Sequence, residues 1–427
     1  MRYKANPGIR RASIVMSSTL PEDDMNTSAI ALQPPRWKRL VLIVVIYLAF
    51  ISLGLPDGVH GLAWPGMRLA LGQPVEALGL VTFVLACCSA VSGFISGRVL
   101  ARFNTGPVTF ASALITGLAI LGFSQVTSFP MMVALAFPLG LGAGSVDAGL
   151  NNFVAEHYSS RHMNWLHACW GVGATLGPSI VGAVLASGGN WSSGYLAVAC
   201  GQLFLALVLF ASLGLWKHQA PAHHHAARAD ESGRADAPAL AAALSALLFA
   251  LYVSIEMGTG WWAGVIMIEG RGFEPGMAGL AVTLFFGSIM GGRILIGFVS
   301  NRLGNRRLIR TGLIVAIAGL ALLLIPDVPA LALLGLGLFG FGCAPVYPGL
   351  MHETPRRFDP VTARKVIGWQ VAAAGIGAAV MPATFGVIAA HFGMETVFPV
   401  IFVLALVLLG LSIRLDQMTP VATKANN

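Results

Sequence analysis

The chain contains twelve apolar stretches, each close to the roughly 20 residues that cross the hydrocarbon core of a bilayer as a helix. They run from 40 to 64, 78 to 97, 106 to 126, 130 to 155, 163 to 186, 194 to 216, 239 to 267, 277 to 300, 308 to 325, 329 to 350, 366 to 390 and 396 to 414. Only 10% of the 427 residues are charged, against about 25% in soluble domains. The sequence therefore predicts an all-α membrane protein with twelve transmembrane helices.

Two regions of the chain are similar to each other at a constant spacing. Residues 93–100 (GFISGRVL) return as residues 297–304 (GFVSNRLG), a shift of 297 − 93 = 204. A second set keeps the same shift, in which Trp165, Gly171, Gly173, Pro178 and Gly182 match Trp369, Gly375, Gly377, Pro382 and Gly386. Duplicated bundles around a central site are typical of secondary transporters. We therefore expect two pseudo-symmetric six-helix bundles, at 40–216 and 239–415.

The polar segments predict the orientation of the chain. Residues 217–238 are expected to form a linker, 1–39 a disordered N-terminal tail and 416–427 a C-terminal tail. Of the 26 Lys and Arg residues, only Arg68, Arg271 and Arg293 fall outside the segments that a cytoplasmic N-terminus would place inside. The positive-inside rule then puts both tails and the linker in the cytoplasm, with the protein in a cytoplasmic or plasma membrane. No cleavable signal peptide is visible before Leu40.

Several other classes of protein are disfavoured. The net charge of +8 does not indicate nucleic-acid binding, because the basic residues follow the membrane topology. The three histidines at 223–225 lack a cysteine or carboxylate at ligand spacing, so no metal site is expected. Phosphate-binding loops, metal-binding helix motifs and nucleophile elbows are missing, which argues against an enzyme. The expected partners are a small-molecule substrate and the lipid bilayer, with the protein a monomer.

Three carboxylates stand inside the predicted spans: Asp57, Asp147 and Glu256. An ionised carboxylate at membrane depth costs several kcal/mol unless it is paired, hydrated or protonated, so each of them favours a functional role. Glu256 is the counterpart of Asp57 at a shift of 256 − 57 = 199, whereas Tyr347 takes the place of Asp147 in the second half. The alternative is a structural acid at a helix bend, hydrogen-bonded to a neighbouring span.

Polar and aromatic residues near these acids are candidates for substrate binding. Trp261 and Trp262 follow Glu256, and a carboxylate beside aromatic ring faces is typical of sugar sites. Both tryptophans would equally suit the outer membrane interface, and anchoring there is the favoured interpretation for Trp262. Further candidates are His60, Asn151, Asn164, His167, Tyr347 and Gln370. For each of them, packing inside the bundle remains the alternative.

Basic residues of the eighth span and the following loop form a separate group. Arg293 lies about 12 Å from the predicted cytoplasmic end at about 1.5 Å per residue, so its side chain is expected to extend toward that surface. Binding of an anion is the alternative. A gating or loop motif is predicted at Gly297, Asn301, Arg302, Gly304 and Arg306, and its first-half copy keeps Arg98 and Arg102.

This loop pattern resembles the signature between spans eight and nine of the major facilitator superfamily, with Asn301 where the family usually has Asp. The resemblance covers the chain from Arg39 to Leu415. Within the superfamily the chain is similar to the fucose permease branch of sugar:proton symporters, on the residues Pro56-Asp57-Gly58, Trp64-Pro65, Asp147 and Asn164-x-x-His167. The resemblance implies the twelve-helix fold and proton coupling through Asp57 and Asp147.

The predicted function is secondary active transport of a small polar solute, a sugar or related metabolite, with protons as the coupling ion and no cofactor. A drug or metabolite:proton antiporter is the alternative, because Gly173-x-x-x-Gly177-Pro178-x-x-x-Gly182 resembles the span-five motif of drug antiporters. Span eleven repeats much of this motif around Pro382, which favours a structural hinge instead.

Overall fold

The computed structural model describes residues 35–158, 160–218, 239–326 and 328–420. The predicted N-terminal tail as far as residue 34, the linker from 219 to 238 and the C-terminal tail from 421 lie outside the described residues. The helices are α1 (Arg36–Gly54), α2 (Val59–Leu71), α3 (Ala77–Phe103), α4 (Thr105–Ser124), α5 (Phe129–His157), α6 (Ser160–Ala186), α7 (Trp191–Ala211), α8 (Ala239–Val265), α9 (Pro275–Leu303), α10 (Asn305–Leu323), α11 (Pro329–Cys343), α12 (Val346–Arg357), α13 (Pro360–Phe392) and α14 (Val397–Met418).

The helices confirm the predicted all-α membrane fold. Among the described residues, eleven spans, each made of one helix or of two in line, are long and apolar enough to cross a membrane. The remaining predicted span is α10, which has 19 residues and carries Arg306, Arg307 and Arg310 in its first turns. Those arginines mark the end of the bundle at which α10 begins, where the sequence predicts a cytoplasmic boundary.

Two of the spans are broken near their middle. Between α1 and α2, Pro56 supplies no backbone N–H and Gly58 has a φ of +76°, a conformation that side-chain-bearing residues avoid. Pro56 and Gly58 account for this break, and Asp57 lies inside it. A second break, which was not anticipated, separates α11 from α12 at Ala344 and Pro345.

One face of α6 fits against the first break. Gly173 contacts the carbonyl oxygen of Ile51, and a Cβ added at Gly58 would lie 2.7 Å from Cγ of Pro178. The glycines and the proline of the span-five motif thus bring α6 close to the backbone around Asp57. This packing gives the motif a structural role in this chain.

The two halves of the chain meet along α2 and α8, α3 and α13, and α6 and α9. Gly61 of α2 lies against the carbonyl of Trp261, and a Cβ added at Gly182 of α6 would be 3.0 Å from the Cα of Gly279 on α9. We call the end at which α1 begins the basal end and the opposite end the apical end. Both close approaches lie in the apical part of the bundle. Gly61 belongs to α2, which runs to the apical end, and Gly182 belongs to the second half of α6.

An ion pair joins the halves at the apical end. Arg68, near the end of α2, donates from Nε and Nη2 to the two carboxylate oxygens of Glu269 at 2.5 and 2.6 Å. Glu269 belongs to the single π-helical turn Ile266–Gly270 that continues α8. A bidentate arginine–carboxylate pair has a defined geometry as well as a favourable energy. It therefore fastens the first half to the second on the apical side.

We predict that Arg68→Ala loosens the apical contact and that the charge exchange Arg68→Glu with Glu269→Arg restores it. The reporter is Leu62→Cys, since Leu62 is 1% exposed between the halves, in a chain whose five native cysteines are replaced by alanine. Labelling by a membrane-impermeant maleimide should rise about tenfold in Arg68→Ala, a change of about 1.4 kcal/mol in the closed state. Equal labelling in all three backgrounds would contradict a closing role.

Candidate functional site

Asp57 lies in the break between α1 and α2 and faces a tryptophan from α6. The indole Nε1 of Trp170 donates to Oδ2 of Asp57 at 2.9 Å. Trp170 is three residues after His167, on the same side of α6. Trp170 was not predicted as a site residue, although its spacing from His167 places it beside that candidate.

Glu256 of α8 is paired with an arginine of α9. Nη2 of Arg293 donates to Oε1 of Glu256 at 3.0 Å, and both side chains are largely buried, at 16% and 5% exposed. The guanidinium of Arg293 also lies 5.3 Å from the ring centre of Trp170, within cation–π range. The expectation that Arg293 extends toward the cytoplasmic surface is therefore wrong, because a buried carboxylate across the bundle is a better partner than a distant surface.

These contacts form a continuous path between the halves, from Asp57 through Trp170 and Arg293 to Glu256. The first two residues belong to the N-terminal half and the last two to the C-terminal half. A movement of one half past the other must change the contact between Trp170 and Arg293. The two acids that occupy matched positions in the repeat are thus linked through one cation and one ring.

Asp147 approaches the same region from α5. Its carboxylate Oδ1 accepts from Nδ2 of Asn151 at 2.9 Å, one helical turn along. The hydroxyl of Tyr347, from α12, is within reach of the charges of Asp147, Glu256 and Arg293. Asp147 is itself an exposed residue, although it stands inside a span. The ring of Tyr347 packs against Phe249 and Tyr252 of α8, with ring centres 5.0 and 6.3 Å apart.

His167 completes this group on the α6 side. It is half-buried, its ring meets Phe50 edge-on at 5.7 Å, and the charge of Arg293 acts on it. Tyr252, four residues before Glu256, is an additional neighbour whose hydroxyl donates to the carbonyl of Cys343 at 2.9 Å. We call the central cluster the set Asp57, Asp147, Asn151, His167, Trp170, Tyr252, Glu256, Arg293 and Tyr347.

Four sequence candidates lie outside the central cluster. Trp262 is fully buried and donates to the carbonyl of Pro382 at 2.7 Å, so its expected place at a membrane interface is wrong. Gln370 is fully buried and bonded to Ser245 and Thr354. Trp261 fills the contact between α2 and α8, and His60 bonds to Tyr195. Neither the spacing of apolar residues nor the composition shows which face of such an apolar helix meets the other half.

The predicted loop motif lies at the basal end, away from the central cluster. Gly304 links α9 to α10 with a φ of +77°, which explains the glycine there. Arg306 donates to Glu353 at 2.8 Å and to the carbonyl of Thr419 at 2.7 Å, so it ties α10 to α12 and α14. The other predicted motif residues whose side chains are described are exposed and have no role in the central cluster: Arg98, Arg102, Gly297 and Arg302. The side chains of Asn164 and Asn301 lie outside the described residues.

The arrangement suits a polar solute and a proton better than a metal ion. Within the ranges described, no three His, Cys, Asp or Glu side chains come together as metal ligands, and the histidines at 223–225 fall outside those ranges. The central cluster instead offers carboxylates, a guanidinium, a phenol and ring faces. Such groups accept and donate hydrogen bonds around a hydroxyl-rich molecule, and the acids can also take up protons.

The chain is similar to several known proteins over most of its length. A family model described as Major Facilitator Superfamily matches residues 46–269 and 239–426. The glucose/mannose transporter GlcP of Bacillus subtilis is 24% identical over 321 residues, which are 71% of this chain and 77% of that protein. A probable actinorhodin transporter of Streptomyces coelicolor is 25% identical over 313 residues, 70% of this chain but only 48% of the relative.

A solved structure shows the same fold at low sequence identity. It is a bacterial homologue of the human lysosomal transporter Spinster, crystallised in an inward-facing, unoccupied conformation. The match covers 92% of this chain and 100% of the other, with a TM-score of 0.73 and 13% identity. At that identity the likeness concerns the arrangement of helices alone.

Proposed function

Since this chain belongs to the major facilitator superfamily and is therefore an integral multi-pass transporter and not an enzyme, we propose that it imports a small polar solute, such as a sugar, together with protons. The observation that carries the proposal is the path from Asp57 to Glu256 through Trp170 and Arg293. It joins a protonatable acid in one half to a charged pair in the other. Both termini are assigned to the cytoplasm.

The proposed mechanism uses the charge balance of the central cluster. The cluster holds three carboxylates, of which Glu256 is paired with Arg293, Asp57 accepts from Trp170 and Asp147 accepts from Asn151. Protonation of Asp57 or Asp147 removes a negative charge that is costly to enclose, so the loaded cluster can close more readily than the empty, ionised one. Movement of the halves then exposes the site to each side in turn.

Two observations support a sugar as the solute. The residues around Asp57 and Asp147 resemble those of the fucose permease branch, and GlcP, which covers 71% of this chain, is named as a glucose/mannose transporter. Tyr347, Trp170 and the carboxylates supply ring faces and acceptors of the kind that sugars use. The assignment to that branch is part of the proposal.

The test is uptake of radiolabelled D-glucose, D-mannose and L-fucose into proteoliposomes, with and without an imposed pH gradient that is acidic outside. We expect at least one sugar to accumulate only when the gradient is present and a protonophore to abolish the accumulation. Empty liposomes and liposomes with Asp57→Asn serve as controls. Uptake of every sugar that ignores the gradient would contradict the coupling.

Efflux of a drug or metabolite by proton antiport is the second candidate function. It is favoured by the similarity to a probable actinorhodin transporter and by the glycine and proline motif of α6. That motif packs α6 against α1, however, and this contact accounts for it without an antiport role. Proton-dependent export of a lipophilic cationic dye from loaded proteoliposomes, with no sugar uptake, would select this alternative.

A further inference from the structure

A small cavity lies inside the N-terminal half, next to Asp57. Its polar lining comes from Ser52, Asp57, His60, Thr116 and Gln202, on four different helical segments, and its volume is about 40 Å³. One water molecule needs roughly 10–15 Å³ measured in this way. The cavity is therefore too small for a sugar but has room for two or three waters.

Two of the lining side chains are incompletely bonded. Gln202, 1% exposed, donates from Nε2 to Thr116 at 2.8 Å and to Ser52 at 3.2 Å. His60, 3% exposed, is bonded through Nδ1 to the hydroxyl of Tyr195 at 2.7 Å. Among the described residues, neither Oε1 of Gln202 nor Nε2 of His60 has a partner. An unpaired buried polar atom costs about 1–3 kcal/mol, so two of them beside one cavity indicate a polar occupant.

The helix break removes a backbone donor from the same region. Pro56 has no N–H, so the carbonyl of Ser52 lacks the donor that residue i+4 would normally supply. Water suits the whole set better than a metal cation. It can donate to Oε1 and to the carbonyl, and it can accept from or donate to Nε2 in either tautomer of His60, whereas a cation fits only one tautomer.

We propose that ordered water fills this cavity and relays protons to and from Asp57, along a route inside the N-terminal half that involves no other member of the central cluster. The inference rests on the proposed proton coupling. In each step a carboxyl or water O–H bond breaks as a new one forms on the neighbouring oxygen or on Nε2 of His60, so that one proton is passed on and no electron is transferred.

Apart from Asp57 and His60, the residues that line the cavity have no titratable side chain. Helices α3, α4, α5 and α7 contribute Leu85, Thr116, Leu139, Ala143, Val146 and Gln202. Tyr195 of α7 bonds to His60, and the charge of Glu256 reaches Asp57 from α8. Asp57 and His60 are therefore the groups between which the water would carry a proton.

Radiolytic hydroxyl-radical footprinting of the purified protein tests the hydration directly, with water itself as the probe. We expect Tyr195 and His60 to be oxidised although they are nearly inaccessible from the surface. Tyr252, equally buried at 1% exposed, is the matched control and should stay unmodified. Gln202→Leu should lower the oxidation of His60 severalfold. Oxidation of Tyr195 no faster than that of Tyr252 would overturn the proposal.

Proteoliposome assays with D-glucose test the relay. Thr116→Val keeps the shape of the side chain but removes a hydroxyl from the cavity. It should slow pH-driven uptake about tenfold or more, since positioned proton transfer contributes roughly 10² or more to a rate, while exchange of glucose at equal pH stays unchanged. Gln370→Leu removes an equally buried glutamine from the other half and reports the general cost of such a change.

The outcomes separate the relay from the coupling itself. Equal slowing of uptake and exchange by Thr116→Val would overturn the relay, because it would indicate general damage. Wild-type uptake that ignores the pH gradient would overturn the coupling and the relay together. A cavity that stays dry in the footprinting experiment overturns the relay alone.

Discussion

Asp57→Asn is expected to abolish uptake driven by a pH gradient and to leave exchange of substrate across the membrane intact. Asparagine keeps the shape of the side chain and an oxygen that can accept from Nε1 of Trp170, at the position where Asp57 now accepts at 2.9 Å. It cannot take up a proton in the working pH range. Because exchange needs no net proton movement, only the coupled reaction should fall, by about 10² or more.

The matched control for Asp57→Asn is Trp170→Phe, which removes the indole donor and keeps the carboxylate. If Asp57 works by protonation, Trp170→Phe should retain most of the coupled uptake, since phenylalanine preserves a ring face for Arg293. Both rates are measured in proteoliposomes with and without a pH gradient. Coupled uptake by Asp57→Asn at the wild-type rate would show that Asp57 does not carry the coupling proton.

Breaking the pair between Arg293 and Glu256 is expected to destabilise the protein more than removing it entirely. Either Glu256→Gln or Arg293→Met leaves one largely buried charge without its partner, which typically costs about 3–5 kcal/mol. The double variant leaves no charge behind, so its loss of unfolding free energy should be well below the sum of the two single losses. All three variants should lose transport, because each removes at least one charged group of the central cluster.

Unfolding of the purified protein in mixed micelles titrated with SDS gives the free energies for this cycle. Arg310→Met is the control, since Arg310 is half exposed and 3.4 Å from Asp416, and an exposed pair of this kind contributes about 0–1 kcal/mol. Additive losses in the cycle would show that Arg293 and Glu256 do not interact in solution as they do in the structure.

The sequence predicts the spans well because the physics that decides them is local. An apolar stretch of about 20 residues has few alternatives to a transmembrane helix, and Pro56 with Gly58 is sufficient to predict a break. The break at Ala344 and Pro345 was not predicted, because the span from 329 to 350 was identified by its apolar length alone. Proline in a long apolar stretch was the available signal.

The site was harder to predict because its members meet across the bundle. Asp57 and Glu256 stood out since a buried acid needs a reason. The prediction for Arg293 used only its distance from the surface along its own helix. Its partner Glu256 lies 37 residues earlier in the chain, on another helix, so that distance gave no indication of the pair. Trp262 and Gln370 were misjudged for a related reason, since helices that are apolar on every side give no indication of which face meets the other half.

Gly173, Pro178 and Gly182 bring α6 against two partners. Gly173 and Pro178 pack against α1 and the break that follows it, and Gly182 lies against Gly279 of α9 with no side chain between the two glycines. A shift of the halves along the contact between Gly182 and Gly279 would displace Pro178 and, with it, the turn that contains Asp57. The proton affinity of Asp57 could then follow the position of the halves mechanically, through a ring and a backbone, in addition to the change at the contact between Trp170 and Arg293.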